Sequence, residues 1–161
     1  MQLTIKERNI NKMITLKKID ENNYRKVLAI KMNEEQDKFV APNVVSLAQA
    51  WVFYETARPF AIYKDEEVIG FMMLDWNEKE REAGIWRFMI AQEHQNKGYG
   101  RKAMEYALNL IRESNKFDCV FLDYVPGNDS GKHLYESLGF KETGEIDDGE
   151  IVMKLDLCSK L

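Results

Sequence analysis

Between Trp86 and Ile111 an apolar run, a glycine-containing turn and a helix-patterned segment follow one another, and this unit restricts the possible folds more than any other stretch. Phe88-Met89-Ile90 reads as the end of a strand, and the turn is Gln95-Asn96-Lys97-Gly98-Tyr99-Gly100. Beyond it Ala103, Met104, Ala107, Leu108 and Ile111 recur at helical spacing, which gives one apolar face to lay on a sheet. The turn therefore falls where a helix begins. Unpaired N–H groups and the positive end of the helix dipole favour an anion there. Gly98 and Gly100 lack a Cβ and let a bulky phosphate approach the backbone. Lys97, Arg101 and Lys102 add positive charge. Taken alone, the same residues equally describe a plain strand-to-helix connection with solvated basic side chains.

Charge narrows the possible partners. Lys plus Arg number 23 against 27 Asp plus Glu, a net charge of -4, which argues against a nucleic-acid binder. An acidic protein suits a small cationic substrate better. With 161 residues, 45% of them apolar and 31% charged, the chain reads as one soluble domain with a real core. The cysteines Cys119 and Cys158 show neither metal-ligand spacing nor a disulfide framework, so a cytoplasmic, reducing setting is expected. His94 and His133 stand apart from other ligand types, and neither a metal site nor a histidine triad is expected. No apolar stretch reaches the roughly 18 residues of a membrane span, and the start, with Ile5-Lys6-Glu7-Arg8, does not read as a signal peptide.

Residues 1–12 read as an N-terminal extension of unknown role, followed by a single domain over 13–161. Ile14 to Ile19 predicts a first strand, then a helix capped by Asp20 with Tyr24, Val27, Leu28 and Met32 on its apolar side. The acidic segment Asn33-Glu34-Glu35-Gln36-Asp37 follows. Val44 to Ala57 predicts a second helix, with Leu47, Trp51 and Tyr54 on a common face. Phe60–Tyr63, Val68–Leu74 and Gly84–Ile90 form an antiparallel meander. Cys119–Val125 follows the glycine-turn helix, most simply as a strand parallel to Gly84–Ile90 through a right-handed crossover. A short helix from about Ser130 to Leu138 ends at Gly139, and a hairpin over Phe140–Ile146 and Ile151–Leu157 turns at Asp147-Asp148-Gly149-Glu150. The predicted class is α/β with a mixed, mostly antiparallel sheet, in the order β-α-α-β-β-β-α-β-α-β-β.

Gly98, Gly100 and Ala103 also satisfy the dinucleotide pattern G-x-G-x-x-G/A, with Asp118 at a suitable distance. A doubly wound domain would place that turn after its first strand, whereas here an antiparallel meander precedes it. Two separated motifs fit another family. Gln95-x-x-Gly98-x-Gly100 after a strand resembles the acetyl-coenzyme A (acetyl-CoA) pyrophosphate loop of the GNAT superfamily of N-acetyltransferases. Asn128, followed by Leu134-Tyr135-Glu136-Ser137-Leu138-Gly139-Phe140, resembles that superfamily's second signature. The resemblance covers residues 13–157. Gly131 departs from it, since the family often has alanine there, and glycine weakens a helix slightly. The run Trp86–Ile90, the acidic segment at Glu34 and the ending Gly144-Glu145 to Met153 are most similar to bacterial diamine and spermidine/spermine acetyltransferases.

The resemblance implies the GNAT fold with a splayed parallel central pair of strands, acetyl-CoA as co-substrate, and direct transfer of acetyl to an amine. Pantetheine would lie against Phe88, Met89 and Ile90. Phosphates would rest on the turn formed by Gln95, Asn96, Lys97, Gly98, Tyr99, Gly100 and Arg101. Asn128 would hold the co-substrate near the splay, although a helix cap is an equal reading of that residue. Tyr135 would be the general acid and also contact the co-substrate; without the motif it reads as a packing residue. Glu34, Glu35, Asp37, Asp147, Asp148 and Glu150 would bind a cationic acceptor, against their plainer reading as a solvated loop and a turn. A polyamine is the leading acceptor, with an aminoglycoside, amino acid or protein N-terminus as alternatives. A non-catalytic acyl-CoA sensor is the rival of another class, and a homodimer is possible. No general base is identifiable: Trp86 stands where some relatives carry an acid.

Overall fold

In the computed structural model, which describes residues 13–157, the alternating apolar runs become one seven-stranded sheet. The extension over 1–12 and Cys158 lie outside the described residues. In chain order the elements are β1 (Ile14–Lys18), α1 (Tyr24–Leu28), α2 (Glu34–Asp37), α3 (Asn43–Val52), β2 (Ala57–Lys64), β3 (Glu67–Asn77), β4 (Glu82–Ile90), α4 (Tyr99–Ser114), β5 (Cys119–Tyr124), α5 (Asp129–Ser137), β6 (Lys141–Asp147) and β7 (Glu150–Asp156). A single 3-10 turn, Gln92–His94, leads from β4 towards α4. The strands lie side by side as β1-β2-β3-β4-β5-β7-β6. Each neighbouring pair is antiparallel except β4 and β5, which are parallel. The mixed sheet and the crossover through α4 are therefore as expected, with α2 as one added turn of helix.

Each sheet face has its own core. On one, Ile14, Leu16, Ile62, Met72, Leu74, Ala83 and Ile85 pack against Ala103, Met104, Ala107, Leu108 and Ile111 of α4 and Tyr135 of α5. On the other, Ala61, Tyr63, Phe71, Met73 and Met89 pack against Val27 of α1 and Ala50 of α3. Fully burying a side chain the size of Leu108 or Ile111 contributes about 1.5–3 kcal/mol, so the apolar stripe of α4 alone fixes it to the sheet. The last hairpin turns through Asp148 at φ 46° and Gly149 at φ 79°, the paired positive φ values that the Asp-Gly step predicts.

The segment before β2 departs from expectation. α3 ends at Val52, and Phe53 leaves the helical region at φ -105°, ψ 36°. The strand then begins at Ala57 because pairing with β3 continues outward to Ala57 opposite Asp75. The buried face of α3 is Asn43, Ser46 and Ala50, while Trp51 is 81% exposed and Tyr54 68% exposed. Small residues let the helix lie close to the sheet, and Asn43 Nδ2 donates to the carbonyl of Val27 at 2.9 Å, tying α3 to the end of α1. Leu28, expected on the apolar side of α1, is exposed, and Val27 alone of that helix is buried.

The centre of the sheet leaves no room at Gly70. A Cβ there would be driven into the Met89 carbonyl and would stand 3.1 Å from the side chains of Ile62 and Ile90. Gly70→Ala is expected to cost about 1–3 kcal/mol, read as a lower urea midpoint at unchanged slope.

Candidate active site

β4 and β5 pair only from Glu82 opposite Cys119 to Ile85 opposite Leu122. Beyond that point each strand keeps its outer neighbour and loses the inner one. β4 stays on β3 as far as Ile90 opposite Gly70, and β5 stays on β7 as far as Tyr124 opposite Ile151. A bulge marks the parting: Arg87 pairs with Met73 and Ile85 with Leu74, which leaves Trp86 unmatched on β3. The extra residue re-aims its neighbours, so Trp86 and Arg87 both turn towards α3. The Trp86 ring meets Phe53 edge-on at 5.8 Å, and the Arg87 guanidinium donates to Gln49 Oε1 at 3.1 Å and to the Trp86 carbonyl at 2.9 Å.

Two clefts meet at the parting. A wide one of about 490 Å³ is bordered by Trp86, Arg87, Asp123 and Glu150, with Asp147 and Asp148 at the hairpin. A narrower one of about 230 Å³ runs along Phe88, Met89 and Ile90 to the turn at Gln95–Gly100. Phe88, Asn128 and Tyr135 border both.

The two glycines of the turn differ, and only Gly98 is required by its backbone. Gly98 has φ 79° and open space where a Cβ would stand, so its requirement is purely conformational. Gly100 is helical, and a Cβ there would sit 3.4 Å from the tip of the Phe88 ring. Tyr99 is buried against the α4 core. Asn96 also has a positive φ, 58°. Gln95 ties the turn to its surroundings: its Nε2 donates to the Ile90 carbonyl at 2.9 Å and to Gln36 Oε1 at 2.6 Å. Lys97 donates to the Glu93 carbonyl at 3.1 Å. Arg101 pairs with Glu105 at 3.2 Å and donates to Ser137 Oγ at 2.5 Å, which straps α5 to the start of α4. Below the turn His94 is buried, with Nε2 3.2 Å from Glu67 and no partner for Nδ1.

Asn128 is a helix cap in this structure: its Oδ1 accepts from the N–H of Gly131 at 3.2 Å. A Cβ on residue 131 would stand 2.7 Å from Asn128 Nδ2, so the departure at Gly131 makes room for the cap. Tyr135 is only 8% exposed, packed edge-on to Phe140 at 6.3 Å. Its hydroxyl has no hydrogen bond among the described residues although the side chain borders both clefts. Burial pushes its pKa up to about 12, which keeps the phenol protonated.

The acidic residues divide. Asp147, Asp148 and Glu150 border the wide cleft, whereas Glu34 and Glu35 are exposed on α2 and outside its lining. Asp37 borders a separate depression with Leu28, Val40 and Pro42. The acidic segment reaches the turn through Gln36, which carries no sequence signal. Three charged residues at the cleft, Lys38, Arg87 and Asp123, are not among the sequence candidates, and the last two carry a visible mark. Asp123 is the charged residue within Cys119–Tyr124, and Arg87 the one within Trp86–Ile90. Partial burial and then the charge of Asp147 push the pKa of Asp123 up, although part of its surface is open to solvent. Burial, then Asp123, pushes Glu150 up, against a lowering pull from Arg87. Burial lowers the pKa of Arg87. No group of three or more His, Cys, Asp or Glu converges on a common point for a metal among the described residues, and none of their helices is long and apolar enough to cross a membrane.

Comparison with known proteins agrees with this geometry. The sequence profile of the acetyltransferase (GNAT) family matches residues 13–140. The spermine/spermidine N(1)-acetyltransferase of Bacillus subtilis strain 168 is 26% identical over 151 residues, covering 89% of this chain and 99% of that protein. The crystal structure of spermidine N-acetyltransferase from Vibrio cholerae, in complex with CoA and spermine, superimposes with a TM-score of 0.71 at 22% identity, over 88% of this chain and 92% of that one. The structure of AAC(6')-Ib with Parmomycin and acetyl-CoA superimposes with a TM-score of 0.73 at 19% identity, over 89% of this chain and 93% of that one. Such similar scores for differently occupied proteins show that the fold alone does not choose the acceptor.

The turn is open to a direct test. Gly98→Ala is expected to cost about 1–2 kcal/mol through its left-handed backbone alone, seen as a lower urea midpoint, with no steric clash to relieve. With the profile match running from the residue before β1 to the one before β6, the chain belongs to the acetyltransferase (GNAT) family and is an acetyl-CoA-dependent N-acetyltransferase.

Proposed function

We propose that the acceptor is a polyamine such as spermidine or spermine, acetylated on a primary amine with Tyr135 as general acid. The observation that carries this reading is the wide cleft, where Asp123, Asp147, Asp148 and Glu150 gather beside the unpartnered hydroxyl of Tyr135. The Bacillus subtilis relative, named for spermine and spermidine, supports the same acceptor class.

In this reading the N–H groups from Gln95 to Arg101 hold phosphates, and the unpaired edge of β4 at Phe88, Met89 and Ile90 holds an extended arm as a strand would. The narrower cleft, running between that edge and the turn, fits such a shape. Acetyl-CoA supplies the activated acetyl group as a thioester. Asn128 keeps its cap and presents its amide Nδ2 to the arm. Of the six acidic candidates Asp147 and Asp148 take the distal ammonium, Glu150 lies nearer the reacting nitrogen, and Glu34, Glu35 and Asp37 supply outer attraction. Tyr135 gives its phenolic proton to the departing sulfur, and holding the partners together provides much of the rate.

Arg87 favours a second reading. A guanidinium in the wide cleft suits an acceptor that carries a carboxylate, such as an amino acid. Coenzyme A release measured across spermidine, spermine, short diamines, aminoglycosides and amino acids separates the two, and tight coenzyme A binding without turnover would favour a sensor. Tyr135→Phe is expected to lower kcat by about 10²-fold or more while leaving coenzyme A affinity nearly unchanged. Because the phenol stays protonated until about pH 12, that loss should be constant from about pH 6 to 10.

We place the protein in the cytoplasm, the reducing setting that suits two cysteines without the spacing of a disulfide framework. A homodimer belongs to the same proposal: Trp51, Phe53 and Tyr54 leave an exposed apolar surface on a segment without charge. Sedimentation should give twice the chain mass, and Trp51→Glu should halve it.

A further inference from the structure

Resting on that reading, we infer that Asp123 and Glu150 form the proton-accepting pair for the acceptor ammonium, across the parted strands from Tyr135. A primary alkylamine with a pKa of about 10.4 is neutral in roughly one molecule per thousand at pH 7.4, a cost of about 4 kcal/mol, so an acceptor for its proton has work to do. The sheet register supplies one. Asp123 stands opposite Val152, and Glu150 lies two residues before Val152, so both carboxylates share one face. Tyr124 and Ile151, the alternate pair, belong to the α4 side of the core. Asp123 and Glu150 accordingly lie on the α3 side, where they also line a further recess with Phe53 and Trp86. The wide cleft is lined by both acidic residues and by the nine-tenths buried Tyr135, so base and acid border one space.

The surroundings neutralise the pair only in part. Arg87 from β4 borders the cleft and its charge draws the pKa of Glu150 down, but its guanidinium donates to Gln49 and the Trp86 carbonyl and makes no ion pair with either carboxylate. Lys154 from β7 is paired with Asp156 at 3.3 Å. Lys38, before α3, borders the cleft without an ion pair. Asp147 from β6 and Asp148 from the turn border the cleft. Asp75 from β3 borders the recess on the α3 side, and Glu82 and Glu145 border an adjoining groove with Asp123. Carboxylates crowded in this way resist double ionisation, so one of them holds a proton more firmly than an isolated acid does.

The step balances without an added reagent. The acceptor ammonium gives one proton to the pair, directly or through water. Its nitrogen lone pair forms a bond to the acetyl carbonyl carbon as the carbon–sulfur bond breaks. The sulfur takes the phenolic proton of Tyr135, the resulting phenolate takes the surplus proton from the new amide nitrogen, and the pair releases its proton to solvent.

The test is kcat and KM against pH, from about pH 5 to 9, for wild type, Asp123→Asn, Glu150→Gln and the double variant, on spermine or on whichever amine wild type turns over. Each single variant should lower kcat at least tenfold at pH 7 with little change in amine KM. The remaining carboxylate, freed of its neighbour's repulsion, should move the acidic limb of kcat to lower pH, and the double variant should lose that limb. A raised KM with unchanged kcat and limb would overturn the proposal and make the pair a binding site for the cationic tail. Coenzyme A affinity by calorimetry reports whether each variant is folded. Carboxyl NMR titration of wild type needs no variant: ordinary titration of both Asp123 and Glu150 would also overturn the pair. Turnover of another amine in place of polyamines would sink the acceptor reading alone.

Discussion

The parting of β4 from β5 is the constraint on which the rest of this structure depends. A buried strand edge without a partner is costly, because each unpaired N–H or C=O gives up a hydrogen bond it had in water. Here the outer neighbours hold both strands in place: β3 carries β4 out to Ile90, and β7 carries β5 out to Tyr124. The gap between them therefore cannot close by sliding one strand onto the other. In the proposed reading an extended group that brings its own donors and acceptors fills it.

Fixing a gap is useful only if the groups around it are fixed too. Gln95 bonds to the last carbonyl of β4 and to Gln36 on α2, so the turn, the strand end and the acidic segment move as one. Arg101 reaches from the first turns of α4 to Ser137, two residues after Tyr135, and holds the short α5 beside the turn. The electrostatics on the two sides of the gap then differ in kind. Tyr135 is kept neutral by burial against Phe140 and the α4 core, while Asp123 and Glu150 are crowded by other carboxylates at a mouth open to water. In the proposed mechanism a proton donor and a proton acceptor coexist because burial keeps the phenol neutral, while partial burial, with repulsion added to it, favours the protonated form of the carboxyl pair.

Legibility in the sequence followed how local each cause was. The stripe from Ala103 to Ile111 and the Asp148-Gly149 turn act over a few residues, and both appear where they were expected. Of the face expected on α3, Leu47 does pack against the sheet core, whereas the large Trp51 and Tyr54 are exposed and the fully buried positions go to the smaller Asn43, Ser46 and Ala50. The residues gathered from the paired motifs, Gly98, Gly100, Asn128 and Tyr135, do meet at one place. Asp123 and Arg87 carry no periodic signal, being single charges in apolar strands; the bulge at Trp86 and the register with β7 bring them to the border of the cleft.

By itself the sequence determined the element types, the glycine turn at a helix start and the family, since these rest on short-range periodicity and on residue types at fixed spacing. Tertiary structure decided which carboxylates share the cleft and where β4 and β5 part. Those outcomes depend on strand register and on contacts between residues far apart in the chain, and a shift of one residue in pairing would have turned Asp123 to the opposite face.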